Sequence, residues 1–174
     1  MSVNANFFYF IPYLNIYIIK RFYFMNFNVA IRVGAITLAM LQPIIILLVC
    51  GEIISFSASW NTVLQPLYIF TNAVTSYFLF SVNKWKLPAL LLILLTAFSI
   101  EFSPLLHDII ATAFFISCIP GLYSINRLKH YLYLYLVSIP VLVLYGLFWF
   151  ETIAVWALCF YHLNLMFETI RVKS

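Results

Sequence analysis

From residue 29 onward, long apolar runs alternate with short polar segments along the chain. An α-helix needs about 20 mainly apolar residues to cross the hydrocarbon core of a bilayer. Because the connecting segments are short, we predict an all-α fold in which residues 29–170 form a single domain, a bundle of six transmembrane helices. The pattern places these helices at about 29–49, 61–80, 87–100, 104–119, 131–147 and 152–167.

The composition excludes an ordinary soluble domain. Of the 174 residues, 66% are hydrophobic and only 8% are charged, whereas a soluble domain has about 25% charged residues to cover its surface. We therefore expect a multi-pass protein of a bacterial inner membrane, a plasma membrane or an internal membrane, with the lipid bilayer as its first partner. The net charge of +4 comes from bases in ones and twos beside apolar runs, so we expect no nucleic-acid partner.

The charged residues sort by side if all six helices cross the membrane. One face then receives the basic residues of the loops and flanks: Arg32, Lys84, Lys86, Arg127, Lys129, Arg171 and Lys173. The other face receives the acidic residues Glu52, Glu101, Asp108 and Glu151, and only Glu168 departs from this pattern. Since basic loops are retained in the cytoplasm, both termini are predicted to be cytoplasmic.

The segment before the first helix, residues 1–28, allows three interpretations. Its apolar stretch, Phe7–Ile19, is short for a span and contains Pro12 and Asn15. The segment lies in the membrane interface as an aromatic anchor, or it forms a seventh, tilted span with an outside N-terminus, or the natural start is Met25. A cleaved signal peptide is not expected, because the basic residues follow the apolar stretch instead of preceding it.

The fourth helix has the clearest start signal. Ser103 is a residue type that caps helices, and Pro104 suits the first helical position. At the other end, Pro120 and Gly121 predict a stop or a kink. Between the fifth and sixth helices, Phe148–Glu151 is predicted to form a tight turn.

Ionisable residues inside a span are costly and are therefore candidates for function. Here they are His107, Asp108 and His162, with Glu52, Glu101 and Glu151 near the outer ends of the helices. A histidine–acid cluster can hold a metal that activates water. However, His107 falls about one turn from the outer end of its helix, whereas His162 falls roughly 15 Å deep. We therefore assign no metal ligands, expect no cofactor and leave the catalytic residues unassigned.

Other polar residues in the spans have structural interpretations. Asn72 and Asn164 are expected to form hydrogen bonds between helices. Tyr131, Tyr133 and Tyr135 are expected to form an interfacial tyrosine belt.

Four short segments resemble a known family when they are taken together. Ile54-Ser55 follows the first span, Pro66-Leu67-Tyr68-Ile69-Phe70-Thr71-Asn72 opens the second, His107-Asp108-Ile109-Ile110-Ala111-Thr112-Ala113-Phe114-Phe115 lies in the fourth, and Gly121-Leu122-Tyr123 ends it. This pattern resembles the six-span family of the damage-regulated autophagy modulators, the fibroblast-growth-factor-receptor activating protein and their yeast and bacterial relatives. The resemblance covers roughly residues 30–170.

The chain departs from the family pattern at two points. The glycine–alanine pair that often follows the histidine is Ile110-Ala111 here, and the Glu-Trp of many last spans is Val155-Trp156. The role of that glutamate therefore cannot be transferred to this chain.

The resemblance implies a lipid-related function, because members of the family are associated with lipid remodelling and with the control of phospholipid distribution. It selects Ser55, Asn72 and His107 as candidate ligand-binding residues, to which the ionisable residues above add Asp108 and His162. We expect the protein to bind, sense or remodel lipid at the outer leaflet, with a phospholipid ligand and without catalysis as the favoured reading.

Three other functions stay open at this point. The first is a non-catalytic structural or assembly subunit, with a membrane-protein partner or a second copy of the chain. The others are a small transporter or channel and a metal-dependent membrane hydrolase.

Overall fold

The computed structural model describes residues 29–51, 55–98 and 101–171. The N-terminal segment before Val29, with the three interpretations given above, lies outside the described residues, as do Glu52 and Ile54. The described part is all-helical and contains no strand, as predicted. Its six helices are α1 (Val29–Cys50), α2 (Gln65–Phe80), α3 (Lys86–Ala97), α4 (Pro104–Tyr123), α5 (Lys129–Tyr145) and α6 (Leu147–Arg171).

Four helical segments are long and apolar enough to cross a membrane: Val29–Cys50, Pro104–Tyr123, Asn126–Tyr145 and Leu147–Phe167. The other two helices are shorter than predicted. α2 has 16 residues and α3 has 12, which correspond to about 24 Å and 18 Å of helix. α2 begins at Gln65 instead of residue 61 because Ser57–Asn61 forms a separate 3-10 turn.

The turn between α5 and α6 is not where the sequence pattern predicted it. Gly146 alone separates the two helices, and its φ of 91° lies in a region that favours glycine. The prediction of a turn at Phe148–Glu151 is therefore wrong, because these residues already belong to α6. This shift places Glu151 inside a helix instead of in a loop.

The start and end of α4 differ from the predictions in detail. The helix starts at Pro104 as predicted, but Ser103 caps it only through its carbonyl oxygen, which accepts from the backbone N–H of His107, and its side chain forms no capping hydrogen bond. The helix also continues through Pro120 and ends at Tyr123.

The contacts divide the chain at Gly34, and the core lies in the unit that begins at Ala35. Trp85 is the largest fully buried side chain there. Its ring packs so closely on Gly121 that a Cβ added to Gly121 would lie 2.6 Å from it. The carbonyl oxygen of Gly121 accepts hydrogen bonds from the hydroxyls of Ser124 (2.7 Å) and Tyr161 (3.0 Å), which closes the C-terminal end of α4.

Polar side chains join neighbouring helices. The Asn164 amide of α6 donates to the hydroxyl of Tyr131 in α5, which is the type of contact predicted for Asn164. Asn164 lies late in α6 and Tyr131 lies early in α5, so the two helices are antiparallel. Tyr135 is buried and donates to the carbonyl of Phe115, so it does not belong to the predicted surface belt, whereas Tyr133 is exposed.

Candidate functional site

A cavity of about 110 Å³, partly open to the surface, lies among α1, α2, α3, α4 and α6. Its walls are mainly aliphatic and aromatic, and a smaller number of polar side chains line it. These polar side chains are Gln42, Ser57, Tyr68, Thr71, Asn72, Thr75, His107, Glu151 and His162. The cavity therefore contains three of the five residues that the sequence analysis selected.

The cavity is elongated along the helices. On α2 its lining extends from Tyr68 to Leu79, and on α6 it extends from Glu151 to His162. Each of these stretches covers eleven residue steps, which corresponds to about 16 Å at 1.5 Å per residue. Glu151 and His162 thus mark opposite ends of one narrow internal space.

At one end of the cavity, the Glu151 carboxylate connects α6 to the loop before α2. Its Oε2 accepts a hydrogen bond from the backbone N–H of Phe56 at 2.6 Å. The Tyr68 side chain is close enough to this carboxylate for the two to interact electrostatically, and it lines the cavity together with Asn72. Four elements, the loop, α1 with Gln42, α2 and α6, therefore form a buried polar cluster at this end.

The loop before α2 can be buried because its own side chains satisfy its backbone groups. The hydroxyls of Ser59 and Thr62 donate to the carbonyls of Phe56 and Ser59, and the N–H of Leu64 donates to Thr62 Oγ1. Serine and threonine commonly form such local bonds outside regular helices. This folds the Ser57–Asn61 turn back on itself and brings the N–H of Phe56 to Glu151.

His107 lies at the same end of the bundle as Glu151. Trp85 packs on both Gly121 and His162, and His107 precedes Gly121 by fourteen residues, or about 21 Å of helix. His107 is buried, and its Nδ1 is 2.9 Å from the carbonyl oxygen of Phe98. Because a carbonyl can only accept, Nδ1 carries the proton, which leaves Nε2 of the neutral ring as an acceptor.

The other end of the cavity is aromatic. The His162 ring lies among the rings of Trp85, Phe78 and Tyr161, with centroid separations of 4.4, 5.1 and 5.2 Å. His162 lines the cavity and is almost fully buried. It is therefore held by ring contacts at the far end from Glu151.

Between the two ends, α2 presents hydroxyl groups to the cavity. Thr71 and Thr75 both line it, and within the described part of the chain neither hydroxyl has a hydrogen-bond partner. With Tyr68 and Asn72 they follow the i, i+3, i+4, i+7 spacing of one helix face. Buried hydroxyls normally have a hydrogen-bond partner, so water or a ligand in the cavity would satisfy the hydrogen bonds of these two.

The remaining two candidates lie outside the cavity. Asp108 follows His107 directly but is exposed, so the two side chains do not form a histidine–acid cluster. Ser55 is buried without lining the cavity, and its hydroxyl is 2.9 Å from that of Ser57, which does line it. Among the residues that the structure describes, no group of three or more His, Cys, Asp or Glu side chains is placed to hold a metal ion.

No family model, no curated protein and no solved structure matches this chain. The class of protein therefore follows from the fold alone: the part of the chain that the structure describes is all-helical and has four helices apolar enough to cross a membrane. The site is defined by its own geometry, a cavity with mainly apolar walls and a polar cluster around Glu151.

Proposed function

We propose that this protein is a multi-pass membrane protein that binds one chain of a lipid inside its helical bundle. The observation that carries the proposal is the elongated cavity, which has apolar walls and a polar cluster at one end. An amphiphile has the same division into an apolar chain and a polar head. The proposal extends the lipid-related function that the family resemblance implies and gives it a location in the bundle.

The proposed topology has six spans with both termini in the cytoplasm. α2 and α3 then cross as short spans beside the four longer ones, which leaves the basic residues Lys84, Lys86 and Arg127 on the cytoplasmic side. The end of the cavity with Glu151 and His107 faces the outer leaflet. Large apolar side chains exposed on the bundle, such as Val143 of α5 with 83% exposure, would contact lipid tails.

We expect labelling of single cysteines to give this orientation. The cysteine for the outer side replaces Asn61 and the cysteine for the cytoplasmic side replaces Asn83, because both residues are exposed. Ser57, in the same outer loop as Asn61, is buried and therefore unsuitable. In a background in which Cys50, Cys118 and Cys159 are all replaced by alanine, Asn61→Cys should react with an impermeant thiol reagent in intact cells, and Asn83→Cys should react only after the membrane is opened. The reverse labelling would overturn the orientation.

The size of the cavity limits its occupant. A cavity of roughly 150 Å³ with apolar walls is known to hold a molecule of the size of benzene, and the cavity here is of similar scale at about 110 Å³. A complete phospholipid does not fit in this volume. Only part of one chain would therefore enter, while the rest of the lipid would remain outside the bundle.

The polar end offers both donors and acceptors to a lipid head. His107 Nε2 accepts, and the amides of Asn72 and Gln42 provide both functions. These side chains are buried, so an unfilled polar end leaves hydrogen-bonding capacity unused in an environment where this is costly. This favours binding of a head group over simple filling of an apolar void.

Native mass spectrometry of the gently solubilised protein tests the proposal. We expect about one retained lipid per chain, and His107→Leu should lower that retention about tenfold, since an unpaired buried polar group costs about 1–3 kcal/mol. Asp108→Leu is the matched control, because Asp108 is adjacent but exposed.

The other outcomes of this experiment separate the alternatives. Absence of any lipid from the wild-type protein would overturn the proposal. A co-purifying protein in its place would indicate an assembly subunit, and stoichiometric zinc would indicate the metal hydrolase. Equal lipid retention by His107→Leu would show that the head does not bind at His107.

A further inference from the structure

Glu151 is an acidic side chain buried inside α6, with 8% exposure. Its Oε2 is held by the backbone N–H of Phe56, and the Tyr68 side chain on α2 is close enough to interact with it electrostatically. Within the described residues, no Lys, Arg or His side chain forms an ion pair with Glu151. The carboxylate also lines the cavity, so an occupant of the cavity can reach it.

A carboxylate in the interior of a membrane bundle is costly unless it is paired. Among the residues that the structure describes, the one hydrogen bond to the Glu151 carboxylate comes from a neutral group, the backbone N–H of Phe56. A ligand that donates hydrogen bonds or carries positive charge would complete the site, because the carboxylate oxygens accept hydrogen bonds and an ammonium group stabilises the charged form of the carboxylate. A ligand with an acidic head would place a second carboxyl group beside Glu151, without a positive charge to pair with either of them.

The shape of the cavity adds a second restriction. The α6 lining from Glu151 to His162 covers eleven residue steps, or about 16 Å, while the volume is only about 110 Å³. This leaves room for part of one chain beneath the head group. The two restrictions together define a single-chain amphiphile with a donor head.

We propose that Glu151 selects the head of the bound lipid, so that the cavity takes single-chain amphiphiles with an amine or hydroxyl head and rejects fatty acids. This inference rests on the proposed lipid-binding function and specifies its ligand class. The carboxylate would accept hydrogen bonds from the amine or hydroxyls of the head. Asn72 and Tyr68 would contact the head from α2.

The test compares three probes with chains of equal length: dodecylamine, monolauroylglycerol and lauric acid. The purified full-length protein is incubated with an equimolar mixture at neutral pH, and the bound probes are identified by native mass spectrometry. We expect the amine and the monoacylglycerol to be retained at least about tenfold more than the acid.

The key variant is Glu151→Gln, in which the amide oxygen can still accept from the N–H of Phe56. We expect it to lose preference for the amine about tenfold while it keeps the monoacylglycerol. Glu101→Gln is the matched control, because it removes the same charge from the same end of the bundle at an exposed position. It should behave as the wild type.

The outcomes distinguish this inference from the proposed function. Retention of lauric acid as strongly as the amine, or an unchanged selectivity in Glu151→Gln, would overturn the role of Glu151 while lipid binding stands. Retention of none of the three probes by the wild type would overturn lipid binding itself. If Glu151→Gln binds no probe, Glu151→Asp decides: amine binding by this variant supports the inference, and loss of all three contradicts it.

Discussion

Truncation of Trp85 to alanine should reduce the free energy of unfolding by about 3–5 kcal/mol, the range for removal of a large aromatic side chain from a core. The ring is 1% exposed, and it packs on Gly121 of α4 and on Tyr161 and His162 of α6. Its removal would leave a void between these helices. Between helices in a membrane, association depends on close packing and not on the exclusion of water from apolar surfaces. The lost packing contacts are therefore not compensated by a hydrophobic contribution.

Unfolding in mixed micelles of mild detergent and dodecyl sulfate measures this loss. Tyr77→Ala is the matched control, because Tyr77 lies in α2 but is 67% exposed, so its truncation should have little effect. Similar stability losses for both variants would contradict the central position of Trp85.

The same contact can be probed from the glycine side. Gly121→Ala should cost about 1–3 kcal/mol by overpacking, because its Cβ would lie 2.6 Å from the Trp85 ring. Gly34→Ala provides the comparison, since no atom lies within 4 Å of the Cβ that it would add. A neutral Gly121→Ala would mean that the ring moves away freely.

The helical fold follows from the hydrophobic pattern, because an apolar segment in a membrane must satisfy its backbone hydrogen bonds within itself, and a helix does so. The pattern could not place the ends of the helices equally well. Val63 and Leu64 are apolar and favour an early start of α2, but the hydroxyls of Ser59 and Thr62 hold the preceding chain in a 3-10 turn. Similarly, the break at Gly146 depends on one positive φ, which composition does not reveal.

The candidate site was predicted in part, and the reason is physical. Asn72 and His107 were selected by the family resemblance, and His107 and His162 because ionisable side chains inside spans are costly; all three line the cavity. Asp108 was selected for the same reason, but a helix turns by about 100° per residue, and this places it on the exposed side of α4. Side-chain direction, and not depth, separates it from His107.

Other residues of the site were missed although a signal was present. Tyr68, Thr71 and Thr75 share the α2 face of Asn72 at helical spacing, so a search for a polar stripe would have found them. Glu151 was placed at a helix end because the turn was predicted there, and only the fold shows that it lies inside α6. The hydroxyls of Thr71 and Thr75 also place polar groups midway along the cavity. A transport path needs such groups, and the sequence analysis had not identified these two.

Filling the cavity should separate lipid binding inside the bundle from lipid attachment outside it. Ala111 lies on the cavity-facing side of α4, and Ala111→Phe would occupy space that the proposed lipid chain uses. We expect lipid retention in native mass spectrometry to fall more than about tenfold. Stability should be retained or raised by about 0.5–2 kcal/mol, as is common when a cavity is filled.

Thr112→Phe is the matched control for Ala111→Phe, because it adds the same ring to the next residue of α4, which is exposed. A surface-bound lipid would be affected by Thr112→Phe as much as by Ala111→Phe, whereas an internal chain would be displaced by Ala111→Phe alone. Unchanged retention in a stably folded Ala111→Phe protein would contradict binding in the cavity. Loss of retention together with loss of stability would instead assign the effect to overpacking, and Val155→Leu, a smaller change on the opposite wall, would then be the variant that decides.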